Sequence, residues 1–170
     1  MNQKRGLPAG RQGFTLIELM IVMIIMGVLA AIGVTAFISS QVKGRDTKRK
    51  GNLKAISQAV ELYYNDKGQY PTDDSAGGVK GCWDLGGMTP ATCVKNQLWQ
   101  DANATIYMAQ FPGDPVSTQK YYYVSATGKQ YQMYTHLENS QDPQIITPAA
   151  GGTSCGAACN WGVSSGNVTP

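Results

Sequence analysis

Residues 13–38 read Gly13-Phe14-Thr15-Leu16-Ile17-Glu18-Leu19-Met20-Ile21-Val22-Met23-Ile24-Ile25-Met26-Gly27-Val28-Leu29-Ala30-Ala31-Ile32-Gly33-Val34-Thr35-Ala36-Phe37-Ile38, an apolar run with one carboxylate, Glu18, near its start. From Leu19 to Ile38 no residue is charged. At about 1.5 Å per residue a helix of this length crosses the hydrocarbon layer of a bilayer. Glu18 is the anomaly. A carboxylate inside the membrane boundary costs on the order of a few kcal/mol unless it snorkels or meets a cation. In a plain signal anchor it would be a boundary residue reaching back to the headgroups. An intramembrane acid otherwise points to function, with a cationic partner.

The residues before the run indicate a source for that cation. Residues 1–13 hold Lys4, Arg5 and Arg11, no acid, Pro8 and three glycines, which makes a short basic leader with no capacity to fold. A secretory signal has its small-residue cut site after the apolar stretch, whereas Gly13 stands immediately before it. A cut there keeps the hydrophobic helix and creates a new amine on Phe14, four residues from Glu18. In a staggered bundle the amine of one chain then reaches the carboxylate of its neighbour.

Gly13-Phe14-Thr15-Leu16-Ile17-Glu18 resembles the cleavage and methylation motif of type IV pilins and type II secretion pseudopilins. The resemblance implies a prepilin peptidase that cuts after Gly13 on the cytoplasmic side, N-methylation of Phe14, and Glu18 as the acid that directs assembly. It also implies the pilin fold, of class α+β, in which a long N-terminal helix packs its second half under a small antiparallel sheet. The segment Tyr63-Tyr64-Asn65-Asp66-Lys67-Gly68-Gln69-Tyr70-Pro71, the pair Asp114-Pro115 and the tyrosines near 121–134 are likewise similar to segments of pseudopilin-type proteins. One count runs against the implied orientation. Lys43, Arg45, Lys48, Arg49, Lys50 and Lys54 follow the span, against three basic residues in the leader, so a positive-inside count favours the reverse topology. The motif and the cysteines outweigh it here.

With 170 residues and 42% hydrophobic content the chain suits one modest globular domain beside the membrane helix. Its net charge of +3 comes from 14 basic and 11 acidic residues, and loss of Lys4, Arg5 and Arg11 leaves 11 against 11. Attraction to nucleic acid or anionic lipid is therefore confined to a local basic patch at residues 43–54. That patch lies on a continuing helix. Leu53, Ile56, Val60 and Tyr63 or Tyr64 recur at three- and four-residue spacing, an amphipathic stripe over 39–67. Gly68 and Pro71 end it near Lys67. Gly27, Gly33, Gly44 and Gly51 weaken the helix and mark bends or close contacts.

Residues 68–170 read as an extracytoplasmic domain of short strands and long loops. Residues 70–101 form an irregular connection pinned to the core by Trp83 or Trp99. A hairpin follows near 120–137, with strands at 120–124 and 130–137 around a turn at 125–129. Tyr131, Met133 and Leu137 share one face that can cover Leu53, Ile56 and Val60. Four cysteines admit three connectivities. Pairing Cys82 with Cys93 and Cys155 with Cys159 closes short loops in an oxidising compartment. A four-thiolate zinc site is the rival, and only the second pair approaches knuckle spacing; free buried thiols are the third reading.

No catalytic motif is present, His136 is a lone strand histidine, and an enzyme is not indicated. The resemblance raises calcium binding, but Asp73, Asp74, Asp114 and Asp142 lack the alternating density of a calcium loop, so no metal or other cofactor is assigned. The sequence thus predicts a structural subunit of a type IV pilus-like filament. Its partners are like pilin subunits, the prepilin peptidase, the inner-membrane assembly machinery and lipid. It begins as a single-pass inner-membrane protein with a cytoplasmic N-terminus and ends in an extracellular or periplasmic filament. The alternatives are a secretion pseudopilin and a DNA-uptake pseudopilin that uses the basic patch on nucleic acid.

Overall fold

The structure, a computed structural model, describes residues 13–82, 90–146, 151–166 and 168–170. The leader up to residue 12 and Trp83 lie outside them. One helix, α1, runs unbroken through Leu16–Lys67, and Gly27, Gly33, Gly44 and Gly51 do not interrupt it. The chain divides into two compact units, Met1–Ser40 and Gln41–Pro170.

In the first unit every large apolar side chain from Phe14 to Ile38 is exposed, between 47% and 88%. So large a contiguous apolar surface is not stable against water, and it fits a lipid or helix-packed environment.

In the second unit α1 buries Asp46, Arg49, Leu53, Ile56, Ala59 and Val60. These recur at the three- and four-residue spacing of one helical face. Burying Leu53, Ile56 and Val60 stabilises the unit by roughly 1.5–3 kcal/mol each. Tyr63, rather than Tyr64, continues the stripe into the core, and Tyr64 instead stacks on Tyr70 with centroids 4.4 Å apart. At the end of the helix the Gly68 N–H donates to the Tyr64 carbonyl at 2.8 Å, and Gly68 takes φ 71°, the left-handed closing conformation.

Three small antiparallel sheets complete this unit. Strands β1 (Lys80–Cys82) and β2 (Ala91–Thr92) form one ribbon, β3 (Trp99–Gln100) and β4 (Ile106–Met108) a second. The third sheet has the order β5 (Tyr122–Val124), β6 (Gln132–Thr135), β7 (Trp161–Ser164). The hairpin falls where the alternation predicts it, with Tyr122 opposite Tyr134, Tyr123 opposite Met133 and Val124 opposite Gln132. Two differences from the sequence reading have a physical origin. The 70–101 connection carries β1, β2 and β3, strands of two or three residues, too short to show a period. The hairpin gains β7, whose pairing with β6 is set by the tertiary fold.

Tyr131 and Met133 share one buried core with Leu53, Ile56 and Val60. The opposite face of β6 carries Tyr134, which packs with Cys155 and Cys159. Trp99 is fully buried, its indole N–H donating to the Gly81 carbonyl at 3.1 Å, among Tyr63, Tyr107 and Phe111. The fold is α+β.

Candidate functional site

Gly13, Phe14 and Thr15 precede α1 without regular structure, and Phe14 is 88% exposed. Thr15 caps the helix. Its Oγ1 accepts from the Glu18 N–H at 3.3 Å, while Glu18 Oε2 accepts from the Thr15 N–H at 2.9 Å and from Thr15 Oγ1 at 2.8 Å. This is a reciprocal capping box, which satisfies amide donors that a helix start leaves bare. Sequence reading gave Glu18 its charge and missed its cap, although Thr-x-x-Glu ahead of an apolar run is the recognisable signal. Glu18 Oε1 has no partner among the described residues, so the acid is held by one oxygen and presents the other.

The six cations after the span do not form one surface. Arg49 is fully buried: Nε and Nη2 donate to Asp114 at 2.9 and 3.0 Å, and Nη1 reaches Asp46 at 2.8 Å and Glu138 at 2.6 Å. Arg45 takes both Glu138 oxygens at 2.9 and 2.5 Å. Lys50 binds Asp142 at 2.7 Å and Gln144 at 2.9 Å and lies over the Trp161 ring at 5.8 Å. Lys43, Lys48 and Lys54 are exposed. The basic stretch thus separates into three cations spent inside the domain and three on its outside. Asp46 and Glu138 are structural partners that the sequence reading did not single out, and Asp114, weighed there for calcium, instead holds Arg49. Asp46 also accepts the Glu138 and Asn139 N–H groups, which fastens the turn after β6 to the helix.

The electrostatics follow the geometry. Burial alone lowers the Arg49 pKa, but hydrogen bonds to Asp114, Glu138 and Asp46 more than offset it, so the guanidinium stays charged. The Arg45 hydrogen bond, followed by that of Arg49, holds Glu138 down at about 2. At the end of α1, Lys67 bridges Asp101 at 2.5 Å and Asp66 at 2.9 Å. Burial raises the Asp101 pKa, yet Lys67 and the N–H groups of Thr105 and Asn103 bring it to about 2.

The cysteines form two disulfides, Cys82–Cys93 and Cys155–Cys159. They leave no thiolate for zinc. Asp73, Asp74, Asp114 and Asp142 each accept backbone N–H groups or cations of this chain, and no group of three or more metal-ligating side chains occurs among the described residues. His136 lies just beyond β6 rather than within it, with Nδ1 2.7 Å from the Ala158 carbonyl.

A capped acid four residues after an exposed Phe, opening an apolar helix that continues into a small α+β domain, defines a prepilin-type subunit. The comparisons agree. Residues 8–34 match the family model described as "Prokaryotic N-terminal methylation motif". The chain is 31% identical over 125 residues to the type II secretion system core protein G of Pseudomonas aeruginosa, covering 74% of this chain and 82% of that protein. With core protein G of Escherichia coli K12 it shares 27% identity over 91% of this chain and 93% of the relative. With the type IV major pilin PilA of Myxococcus xanthus it shares 44% over 70 residues, 41% of this chain and 31% of the pilin. No solved structure matches it. The chain belongs to the type IV pilin and type II secretion pseudopilin family.

Proposed function

We propose that the protein is a structural subunit of a type IV pilus-like filament, cut after Gly13, methylated on Phe14 and assembled through its N-terminal helix. The observation that carries this reading is the pairing of a basic leader and Gly13-Phe14 with a single acid, Glu18, whose Oε1 has no partner among the described residues. Removal of the leader frees an amine four residues from that acid. Buried against a neighbour in a dry helix bundle, amine and carboxylate attract far more strongly than in water, and an unpaired carboxylate is heavily penalised. Correct stagger is thereby selected.

The partners in this reading are like subunits, the prepilin peptidase and an inner-membrane assembly machine. The precursor spans the inner membrane once with its leader in the cytoplasm, and the disulfide-bearing domain faces an oxidising compartment. The relatives are named as pilins and secretion core proteins, structural roles that call for no catalysis.

A specific observation favours a second reading, a secretion pseudopilus. The two core protein G relatives match across 74% and 91% of this chain, whereas PilA matches over 41%. Long surface fibres in electron micrographs support a pilus; loss of exoprotein export with no long fibre supports the pseudopilus.

The test is Glu18→Gln. Glutamine keeps the capping-box acceptor and removes the charge. The expected outcome is normal membrane insertion and a fall of at least about tenfold in sheared filament, consistent with loss of a buried charge pair. Filament yield equal to wild type removes Glu18 from the mechanism.

A further inference from the structure

A cavity of about 360 Å³ lies between α1, β5, β6 and the loops around residues 77–79, 93–95 and 111–119. It falls in the size range of small-ligand sites. Its floor is apolar: Ile56, Val79, Phe111, Tyr123 and Met133 line it, and each is buried.

The polar atoms around that floor are incompletely matched. The side-chain Oε1 of Gln119 is buried and accepts from no donor among the described residues. A buried acceptor without a donor is costly, and native folds retain few of them. The backbone there is fixed on both sides, the Gln119 N–H donating to the Val116 carbonyl and the Lys120 N–H to the Cys155 carbonyl, each at 3.0 Å. Lys95 and Lys120 also line the cavity and are exposed. Lys95 Nζ donates to the Asp114 carbonyl at 3.4 Å and Lys120 Nζ to the Ala76 carbonyl at 2.9 Å. Neither ammonium has a carboxylate partner among the described residues, and each has three donors. The acid on the wall, Asp114, is taken by Arg49 and the Val116 N–H. One cavity thus holds an apolar floor, an acceptor without a donor and two cations with donors to spare.

We propose that this cavity binds the C-terminus of a polypeptide that ends in an apolar residue. The terminal side chain covers the floor, its carboxylate accepts from Lys95 and Lys120 Nζ, and its N–H donates to Gln119 Oε1. In such a terminus one Cα separates the N–H from the carboxylate, and Gln119 and Lys120 are adjacent in the chain. An inorganic anion would serve the lysines and leave the floor uncovered. A fatty carboxylate covers the floor but brings no donor to Gln119.

The experiment uses the full-length, uncut chain in nonionic detergent, titrated with N-acetyl-alanyl-leucine and followed by methionine methyl NMR. The Met133 signal, identified by its loss in M133L, reports the floor. The expected result is saturable movement of that signal with a Kd on the order of 1 mM or tighter. The C-terminal carboxamide of the same ligand binds at least about tenfold more weakly, because a charge-assisted hydrogen bond is lost. The ester analogue, with oxygen in place of the leucine N–H, binds roughly fivefold more weakly. K95Q/K120Q removes the preference for the acid over the carboxamide, Q119L removes the preference for the amide link over the ester, and K129Q changes neither. Q119L deletes an acceptor that has no donor, so its unfolding midpoint does not fall. A Met133 signal that stays fixed, equal affinity for acid and carboxamide, or an unchanged preference in K95Q/K120Q overturns the proposal. So does hexanoate binding as tightly as the peptide, which reassigns the cavity to fatty carboxylates. The ligand comparisons use the wild-type chain and stay decisive even where a variant fails to fold. Binding is read before leader removal and outside any filament, so its failure leaves the filament reading standing.

Discussion

Arg49 occupies the same helix face as Leu53, Ile56 and Val60, and its guanidinium is wholly withdrawn from water. Three carboxylates, Asp46, Asp114 and Glu138, replace the lost hydration. Removing one partner of such a cluster strands the others, which costs about 3–5 kcal/mol. Arg49→Ala is thus expected to lower the stability of the globular unit by that amount in urea unfolding. A change below about 1 kcal/mol would show that water fills the site at little cost. The pH dependence has a definite sign. Glu138 and Asp101 titrate at about 2 when folded, below the ordinary carboxylate range, so the folded state binds fewer protons than the unfolded chain. Their contribution is complete above about pH 4.3 and is lost as the pH falls through 2. Glu138→Gln should flatten this acid-side slope of the unfolding midpoint, and an unaltered slope would exclude Glu138 as its source. Arg49 was legible in the sequence only as one of a run of cations. Its helical position was the better signal, since the apolar stripe of Leu53, Ile56 and Val60 extended back two turns passes through Arg49 and then Asp46.

At the scale of elements, what could be read locally was read, and what depended on distant partners was not. The helix end is local: Gly68 supplies φ 71° and no neighbouring atom would touch an added Cβ. Gly68→Ala therefore tests conformation alone and should destabilise by about 1 kcal/mol in thermal or urea unfolding. No loss would mean that the helix end relaxes into another closure. The tyrosine hairpin was equally visible, because alternation and a Gly-bearing turn reside in one stretch of chain. Strand β7 was not, since Trp161-Gly162-Val163-Ser164 is a strand only by virtue of lying beside β6. The two ribbons before the hairpin are held from outside their own sequence as well. Cys82–Cys93 joins the end of β1 to the residue after β2, and Asp74 accepts the Thr92 hydroxyl at 2.9 Å. The capping box at the start of α1 was within reach of the sequence, but the charge of Glu18 drew attention away from its hydrogen-bonding role.

For the whole molecule, composition sets neutrality after leader loss but says nothing of where the charges go. The fold sets Asp46, Asp101, Asp114, Glu138 and Asp142 against Arg45, Arg49, Lys50 and Lys67, and leaves Lys43, Lys48 and Lys54 outside. That division separates the globular unit's own stability, built on buried ion pairs and the Leu53–Tyr131 core, from the chemistry of the N-terminal segment, where Glu18 and Phe14 stand exposed. Assembly in this scheme depends on a peptide bond being cut, because only the cut creates the amine that Glu18 meets. The intact mass of subunits recovered from native filaments reads that event without intermediaries. A mass corresponding to a chain that begins at N-methylated Phe14, with both disulfides closed, is the predicted result; filaments built from subunits that still carry residues 1–13 would contradict it.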